Sequence, residues 1–170
     1  NLDTTVLADF YGPRFDLVVA DVPCSGEGMF RKDDVAISEW SLHNVMTCAD
    51  RQWQIVCDIW DCLRQGGYMV YSTCTFNTHE DEENVRWMET TLDAELLPIA
   101  TDDSWGITPS MLSDVAHAYR FLPGRTRGEG FFLAALRKRS DAQDSTQRTE
   151  PNAKRSKKNR DKRPAPSLPV

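Results

Sequence analysis

Two cysteines that follow two predicted strands are the strongest candidates for chemistry in this sequence. Cys24 comes just after residues 15–22 (FDLVVADV), and Cys74 comes just after residues 68–71 (YMVY). Asp21 stands near the end of the first of these runs. A thiolate is a strong nucleophile once its pKa is lowered, and a carboxylate can hold or protonate a ring nitrogen of a heterocycle. Together these groups suit covalent attack on an electron-poor ring.

The segments around the two cysteines predict how they are brought together. Residues 15–22 are a short apolar run typical of a buried parallel strand, and residues 41–63 repeat apolar side chains at helical spacing. Gly66-Gly67 is expected to end that helix before the strand at 68–71. A strand–helix–strand crossover places its strands parallel and commonly adjacent, about 4.8 Å apart. Both cysteines are therefore expected at the carboxyl edge of one sheet, where open α/β sheets bind ligands.

The rest of the chain continues the alternation of strands and helices. Further strands are predicted at residues 2–8, 96–100 and 129–136, and a second helix at 79–91, whereas residues 104–122 read as irregular with one short helix. This order predicts an α/β fold with a mostly parallel sheet covered on both faces. The last strand is expected to close the sheet as an antiparallel edge strand.

Several other groups have two interpretations. The remaining cysteines lie within the helical pattern, which favours small buried hydrophobes over catalysis: Cys48, Cys57 and Cys62. Arg31 and Lys32 could contact a phosphate, although a basic pair is more often a solvated surface. The acidic residues 81–83 are expected to compensate a helix dipole. The three histidines show no ligand spacing, so no metal site is predicted.

Composition limits the class of protein. The chain has 170 residues, of which 40 % are hydrophobic and 27 % are charged, and this fits one globular domain. No apolar run reaches the ~18–20 residues that cross a bilayer, and no secretory signal is seen. Five cysteines without a secretory signal or a C-x-x-C pair favour reduced thiols in the cytoplasm.

Charge divides the chain into an acidic body and a basic tail. Residues 1–136 carry 22 of the 26 acidic and 9 of the 20 basic residues, a net of −13, and residues 137–170 carry a net of +7. The tail has few apolar residues, so residues 139–170 are expected to be disordered, as a linker or as an electrostatic arm for phosphates. Residues 1–138 are expected to form the folded domain.

Three segments give a resemblance to a known family. Residues 21–28 (DVPCSGEG), followed by RKD at 31–33, resemble the fourth motif of RNA cytosine-5 methyltransferases of the Sun/Nop class. Residues 71–77 (YSTCTFN), followed by EEN at 82–84, resemble their sixth motif. RFLP at 120–123 and GEGFF at 128–132 resemble the closing segment of the same domain. The residues of these segments are most similar to those of bacterial ribosomal-RNA methyltransferases of the RsmF type.

The resemblance implies a Rossmann-like, S-adenosylmethionine-dependent methyltransferase fold and an RNA substrate, with ribosomal RNA favoured. It implies that Cys74 attacks C6 of a cytosine, after which C5 takes the methyl group, and that Cys24 assists release of the product. Asp21 is expected to contact the cytosine edge near the cofactor, and Asp9 is expected to hold the adenosine part. Such a base must be unpaired or flipped out to be reached.

Contacts with RNA are expected from the fourth-motif region, at Pro23, Arg31 and Lys32. The family's Gly-rich cofactor loop should precede Asp9 and is not seen, so the sequence reads as an N-terminally truncated catalytic domain. The 170 residues alone are expected neither to bind the cofactor well nor to turn over. Two other functions stay open: a dithiol redox protein that uses Cys24 and Cys74, and a non-catalytic RNA-binding fragment.

Overall fold

A computed structural model describes residues 3–140 of the chain. In chain order these residues form helices and strands with two short 3₁₀ turns at Glu27–Met29 and Asp103–Trp105. The helices and strands are α1 (Thr4–Tyr11), β1 (Phe15–Asp21), α2 (Asp34–Glu39), α3 (Leu42–Cys62), β2 (Leu63–Thr73), α4 (Glu82–Thr91), β3 (Ala94–Leu97), β4 (Thr108–Pro109), β5 (Ala118–Phe121) and β6 (Phe131–Lys138). The basic tail is predicted to be disordered over residues 139–170, and of these residues 141–170 lie outside the described part.

The described strands form one mixed sheet in the order β1-β2-β6-β5-β4, and β3 pairs with β6 outside this order. The pair β1–β2 is parallel, and its register sets Asp21 opposite Ser72. The other pairings between residues 3 and 140 are antiparallel, so the parallel part of the sheet here is the β1–β2 pair. The α/β fold and the antiparallel direction of the last strand are confirmed. Its edge position is wrong, because β5 and β3 pair with different halves of the side of β6 that faces away from β2.

Helices α3 and α4 cover one face of the sheet and build the core there. The Ser41 side chain caps α3 by accepting a hydrogen bond from the Asn44 N–H at 3.1 Å. The largest fully buried apolar side chains come from the helices and the central strands: Val45, Val56, Leu63, Met69, Tyr71, Met88, Phe132 and Leu136. The crossover predicted from helical spacing is thus confirmed, and it joins the two parallel strands directly.

The expected helix stop at Gly66-Gly67 is wrong. Helix α3 ends at Cys62, and β2 begins at once with Leu63. Gly66 lies inside β2 with φ of 75°, at the irregular stretch where the register with β1 shifts. Gly66 therefore allows the backbone to turn within the strand, at a positive φ that glycine adopts without strain.

The strand expected at residues 2–8 is also wrong over its described part, since Thr4–Tyr11 is helix α1. Asp3 caps this helix by accepting a hydrogen bond from the Thr5 N–H at 3.1 Å. Helix α1 packs against α3, and in residues 3–140 no strand pairs with the free edge of β1. A strand needs such a partner for its backbone hydrogen bonds, whereas a capped helix satisfies its own.

The second face of the sheet is largely open. Leu17 and Val19 of β1 are 55 % and 65 % exposed, and Tyr68 of β2 is 48 % exposed. Leu17 pairs with Tyr68 in the register, so these side chains share one face. The prediction that both faces of the sheet are covered is therefore wrong for the described residues, in which only one face is covered. Segment β1 is a strand as predicted, but it is not buried on both sides.

Candidate active site

The two predicted cysteines lie side by side at the carboxyl ends of β1 and β2. Cys24 Sγ is 2.9 Å from Cys74 Sγ, and the Cys74 N–H points to Cys24 Sγ at 3.4 Å. Both are free thiols and half-buried, so reagents from solvent can reach them. Parallel pairing brings together two residues that are 50 positions apart in the sequence.

The two sulfurs differ in their affinity for a proton. A hydrogen bond from the Cys24 thiol lowers the pKa of Cys74 to about 7, although burial and the nearby Asp21 charge act in the opposite direction. The same hydrogen bond, together with burial, raises the pKa of Cys24. A pKa of about 7 makes a substantial fraction of Cys74 thiolate near neutral pH, and this thiolate accepts the hydrogen bond of the Cys24 thiol.

Asp21 lies at the same edge of the sheet. Its Oδ1 accepts a hydrogen bond from the Ser72 hydroxyl at 2.9 Å, which fixes the carboxylate above the end of β2. The residue is exposed, and its charge acts on Cys74. A carboxylate beside a nucleophilic thiolate can hold a protonated ring nitrogen or a positively charged group.

The loop after Cys24 approaches the loop after Cys74 closely. The Gly28 N–H donates to the Cys74 carbonyl at 2.8 Å, and a Cβ at Gly28 would lie 2.7 Å from that oxygen. Glu27 accepts from the Phe76 N–H at 2.7 Å and from Trp40 Nε1 at 2.9 Å. The contact explains the second glycine of the GEG sequence, since no larger residue fits there.

A buried ion pair supports the loop after Cys74 from the far side. Arg120 of β5 donates to both carboxylate oxygens of Glu82 and to the Phe76 carbonyl at 2.7 Å. The side chains of Arg120 and Glu82 are 1 % and 0 % exposed. Burial raises the pKa of Asp81, which accepts from the Thr73 hydroxyl at 2.6 Å and lies 3.4 Å from the same guanidinium.

This cluster adds a second role to residues 81–83. Glu82 and Glu83 stand in the first turn of α4, as dipole compensation predicts, but Asp81 and Glu82 are also buried and bonded. Arg120 stands in the RFLP segment that carried part of the resemblance, but its partner lies 38 positions away. Sequence spacing gives no signal for such a pair.

The residues expected to contact RNA lie near the thiols or on the surface beside them. Pro23 is exposed, and its carbonyl accepts a hydrogen bond from Gln52 Nε2 at 2.9 Å. Arg31 is exposed, and Lys32 forms a surface ion pair with Glu129. A surface location suits both interpretations of this basic pair.

Asp9 is not brought to this edge by a strand of its own. It is exposed on α1, which packs on α3, and the expectation that it follows a strand is wrong. Within residues 3–140, no group of three or more potential ligands could hold a metal ion. In the same part of the chain, no helix has the length and apolar character that crossing a membrane requires.

The geometry defines a nucleophile with a second thiol and a carboxylate at the ligand-binding edge of an α/β sheet. The sequence profile of the 16S rRNA methyltransferase RsmB/F family matches residues 1–137. The chain therefore belongs to this family, and the resemblance to Sun/Nop-class methyltransferases is confirmed.

Individual relatives agree with the family. The chain is 41 % identical over 126 residues to ribosomal RNA small subunit methyltransferase F of Salmonella agona, and 35 % identical over 124 residues to the protein of that name from Pectobacterium atrosepticum. These alignments cover 73 % of this chain but 26 % and 25 % of the relatives. The chain thus spans about a quarter of their length.

Solved structures show the same fold. NSun6 from Pyrococcus horikoshii, solved with the S-adenosylmethionine analogue SFG, matches with a TM-score of 0.67 at 28 % identity. The match covers 81 % of this chain and 33 % of that one. A methyltransferase homologue from the same organism matches with a TM-score of 0.67 at 25 % identity, over 81 % of this chain and 43 % of that one. The Rossmann-like methyltransferase fold is confirmed.

Proposed function

We propose that this chain is the catalytic part of an S-adenosylmethionine-dependent methyltransferase that acts on C5 of a cytosine in ribosomal RNA. The observation that carries the proposal is the thiol pair: Cys24 and Cys74, 2.9 Å apart, with the pKa of Cys74 lowered to about 7. Family membership supports an RNA substrate. The cysteines and Asp21 suit a reaction that makes a pyrimidine carbon nucleophilic.

In this mechanism Cys74 adds to C6 of the cytosine, which forms a carbon–sulfur bond and shifts electrons toward N3 and C5. Asp21 holds the proton that N3 needs in the adduct. S-adenosylmethionine supplies the methyl group to C5 when it is bound. The carboxylate of Asp21 also suits a neighbouring sulfonium, because the opposite charges attract.

Cys24 then takes the C5 proton. Its pKa is raised first of all by the hydrogen bond to Cys74. Once Cys74 is a thioether to C6, that thiolate acceptor no longer exists, and Cys24 can lose its own proton to solvent. The resulting Cys24 thiolate removes the proton from C5, and the C6–sulfur bond breaks to restore the Cys74 thiolate. N3 then gives up the proton it shared with Asp21 to solvent.

The remaining site assignments follow the family resemblance. Pro23, Arg31 and Lys32 are proposed to touch the RNA, and Asp9 on α1 is proposed to hold the adenosine. Five free thiols support a reducing, cytoplasmic location. The residues 139–170 are proposed as a basic linker or arm outside the catalytic domain.

Trapping of a covalent complex tests the proposal. Full-length Cys24→Ala protein with S-adenosylmethionine and cytosine-containing ribosomal RNA is expected to accumulate a protein–RNA adduct that survives denaturing electrophoresis, because release is blocked after attack. Cys74→Ala should form no adduct, and Cys48→Ala serves as the matched control that turns over normally.

Each alternative gives a different result in the same experiment. A dithiol redox protein would trap no RNA with either variant, and a non-catalytic RNA-binding fragment would bind RNA reversibly without an adduct. Either outcome would contradict the proposed methyl transfer.

A further inference from the structure

Glu80 lies between the two loops that carry the cysteines and bonds to both of them. Its Oε2 accepts from the Ser25 N–H at 2.9 Å, directly after Cys24. Its Oε1 accepts from Asn77 Nδ2 at 2.7 Å, three residues after Cys74. The residue is 0 % exposed, so water does not compete for these bonds.

A second set of contacts extends the same link to the residues beside each cysteine. Gln52 of α3 donates to Glu80 Oε2 at 2.7 Å and to the carbonyl of Pro23 at 2.9 Å. Asn77 also donates to the Thr75 hydroxyl at 3.0 Å. The backbone on both sides of Cys24 and after Cys74 is thus tied to one carboxylate.

The network requires an acceptor at Glu80. The described groups that meet its two oxygens are all N–H donors: the Ser25 amide, the Gln52 amide and the Asn77 amide. The Asn77 oxygen is already used by the Glu80 N–H at 3.0 Å. An amide at position 80 would therefore turn an NH₂ group toward another donor, whichever way it was oriented.

We propose that Glu80 is a positioning residue that sets the separation of the Cys24 and Cys74 sulfurs by holding their two loops in register. It makes no hydrogen bond to either sulfur within the described residues and acts through Pro23, Ser25 and Asn77. The importance of this separation for methyl transfer rests on the proposed function, but the effect on the thiols does not.

Positioning and simple charge predict opposite changes in the reactivity of Cys74. The groups that act on the Cys74 pKa are Cys24, which lowers it, and the charges of Asp21 and Glu80, which raise it. Removal of the Glu80 charge alone would lower the pKa of Cys74 further. Loss of the register moves the donating thiol of Cys24 away and raises the pKa of Cys74.

The test is the pH dependence of Cys74 alkylation by iodoacetamide in the full-length protein, read by mass spectrometry of the Cys74 peptide. In Glu80→Gln protein the half-point is expected to rise from about 7 by roughly one pH unit, with a roughly fivefold slower reaction at neutral pH. An unchanged or lowered half-point would overturn the proposal.

A second variant and a control complete the test. Asn77→Ala keeps the Glu80 carboxylate but removes the bonds that Asn77 donates to Glu80, Thr75 and Ser25, and it should shift the half-point in the same direction. This variant decides the question if circular dichroism shows that Glu80→Gln does not fold. Glu89→Gln makes the same exchange within α4, away from the two loops, and should leave the half-point unchanged. Because no RNA or cofactor is used, failure here is distinct from failure of the trapping experiment.

Discussion

The two cysteines share a residue type but differ in protonation, and their mutual hydrogen bond is the cause. It lowers the pKa of Cys74 and raises that of Cys24. In the proposed reaction, the nucleophile is therefore prepared by the group that later assists release. At two other thiols of the chain, Cys48 and Cys62, burial raises the pKa instead.

Removal of the Cys24 thiol should slow Cys74. Without its donor, the pKa of Cys74 is expected to move from about 7 toward the ordinary value of 9.0. Since the thiolate is the reactive form, the alkylation rate rises as pH passes through the pKa, so Cys24→Ala protein should react roughly tenfold or more slowly at neutral pH. Peptide mass spectrometry measures this against Cys48, and equal rates in variant and wild type would contradict it.

Between elements, Arg120 joins β5 to the start of α4 and to the loop after Cys74. It bonds to Glu82 and to the Phe76 carbonyl inside the core. A buried pair of this kind contributes mainly by leaving no uncompensated charge. The closing segment of the domain thereby fixes a loop that belongs to the active site.

Arg120→Met should destabilise the protein strongly, because it leaves the Glu82 carboxylate buried without its partner. The expected loss of unfolding free energy is about 3–5 kcal/mol, measured by urea denaturation. Asp114→Ala breaks the exposed pair with Arg86 and should change the midpoint little. Similar effects of the two substitutions would rule out a special role of the buried pair.

On the scale of the whole molecule, the described residues cover one face of their sheet and leave the other open. Leu17, Val19 and Tyr68 present an apolar surface there, and the edge of β1 has no strand partner within residues 3–140. Uncovered apolar faces and free strand edges promote association. This open side adjoins the edge that carries Asp21 and the thiols.

The 170-residue chain is expected to associate through this face. Val19→Lys places a charge in the middle of it and should shift the chain toward monomer in sedimentation velocity at increasing concentration. Val35→Lys, at another exposed valine on α2, is the matched control and should have little effect. A chain that is monomeric at every concentration, or an equal effect of both variants, would contradict the expectation.

Local sequence patterns predicted the elements around the site. The apolar run of β1, the helical spacing of α3 and the placement of Cys24 and Cys74 after parallel strands all follow from short-range periodicity and chain topology. The strand expected at residues 2–8 failed because strand formation depends on a neighbour, and α1 satisfies its own backbone instead. Strand β5 was missed because its four residues are defined by pairing with β6.

The sequence by itself determined the α/β crossover, the family and the two sulfurs, because these depend on residue types and spacing along the chain. Only the tertiary structure decided which thiol keeps the proton, how Glu80 ties the two loops and that Arg120 meets Glu82. Those features depend on distances between residues tens of positions apart, and hydrogen bonds and burial act through space rather than along the chain.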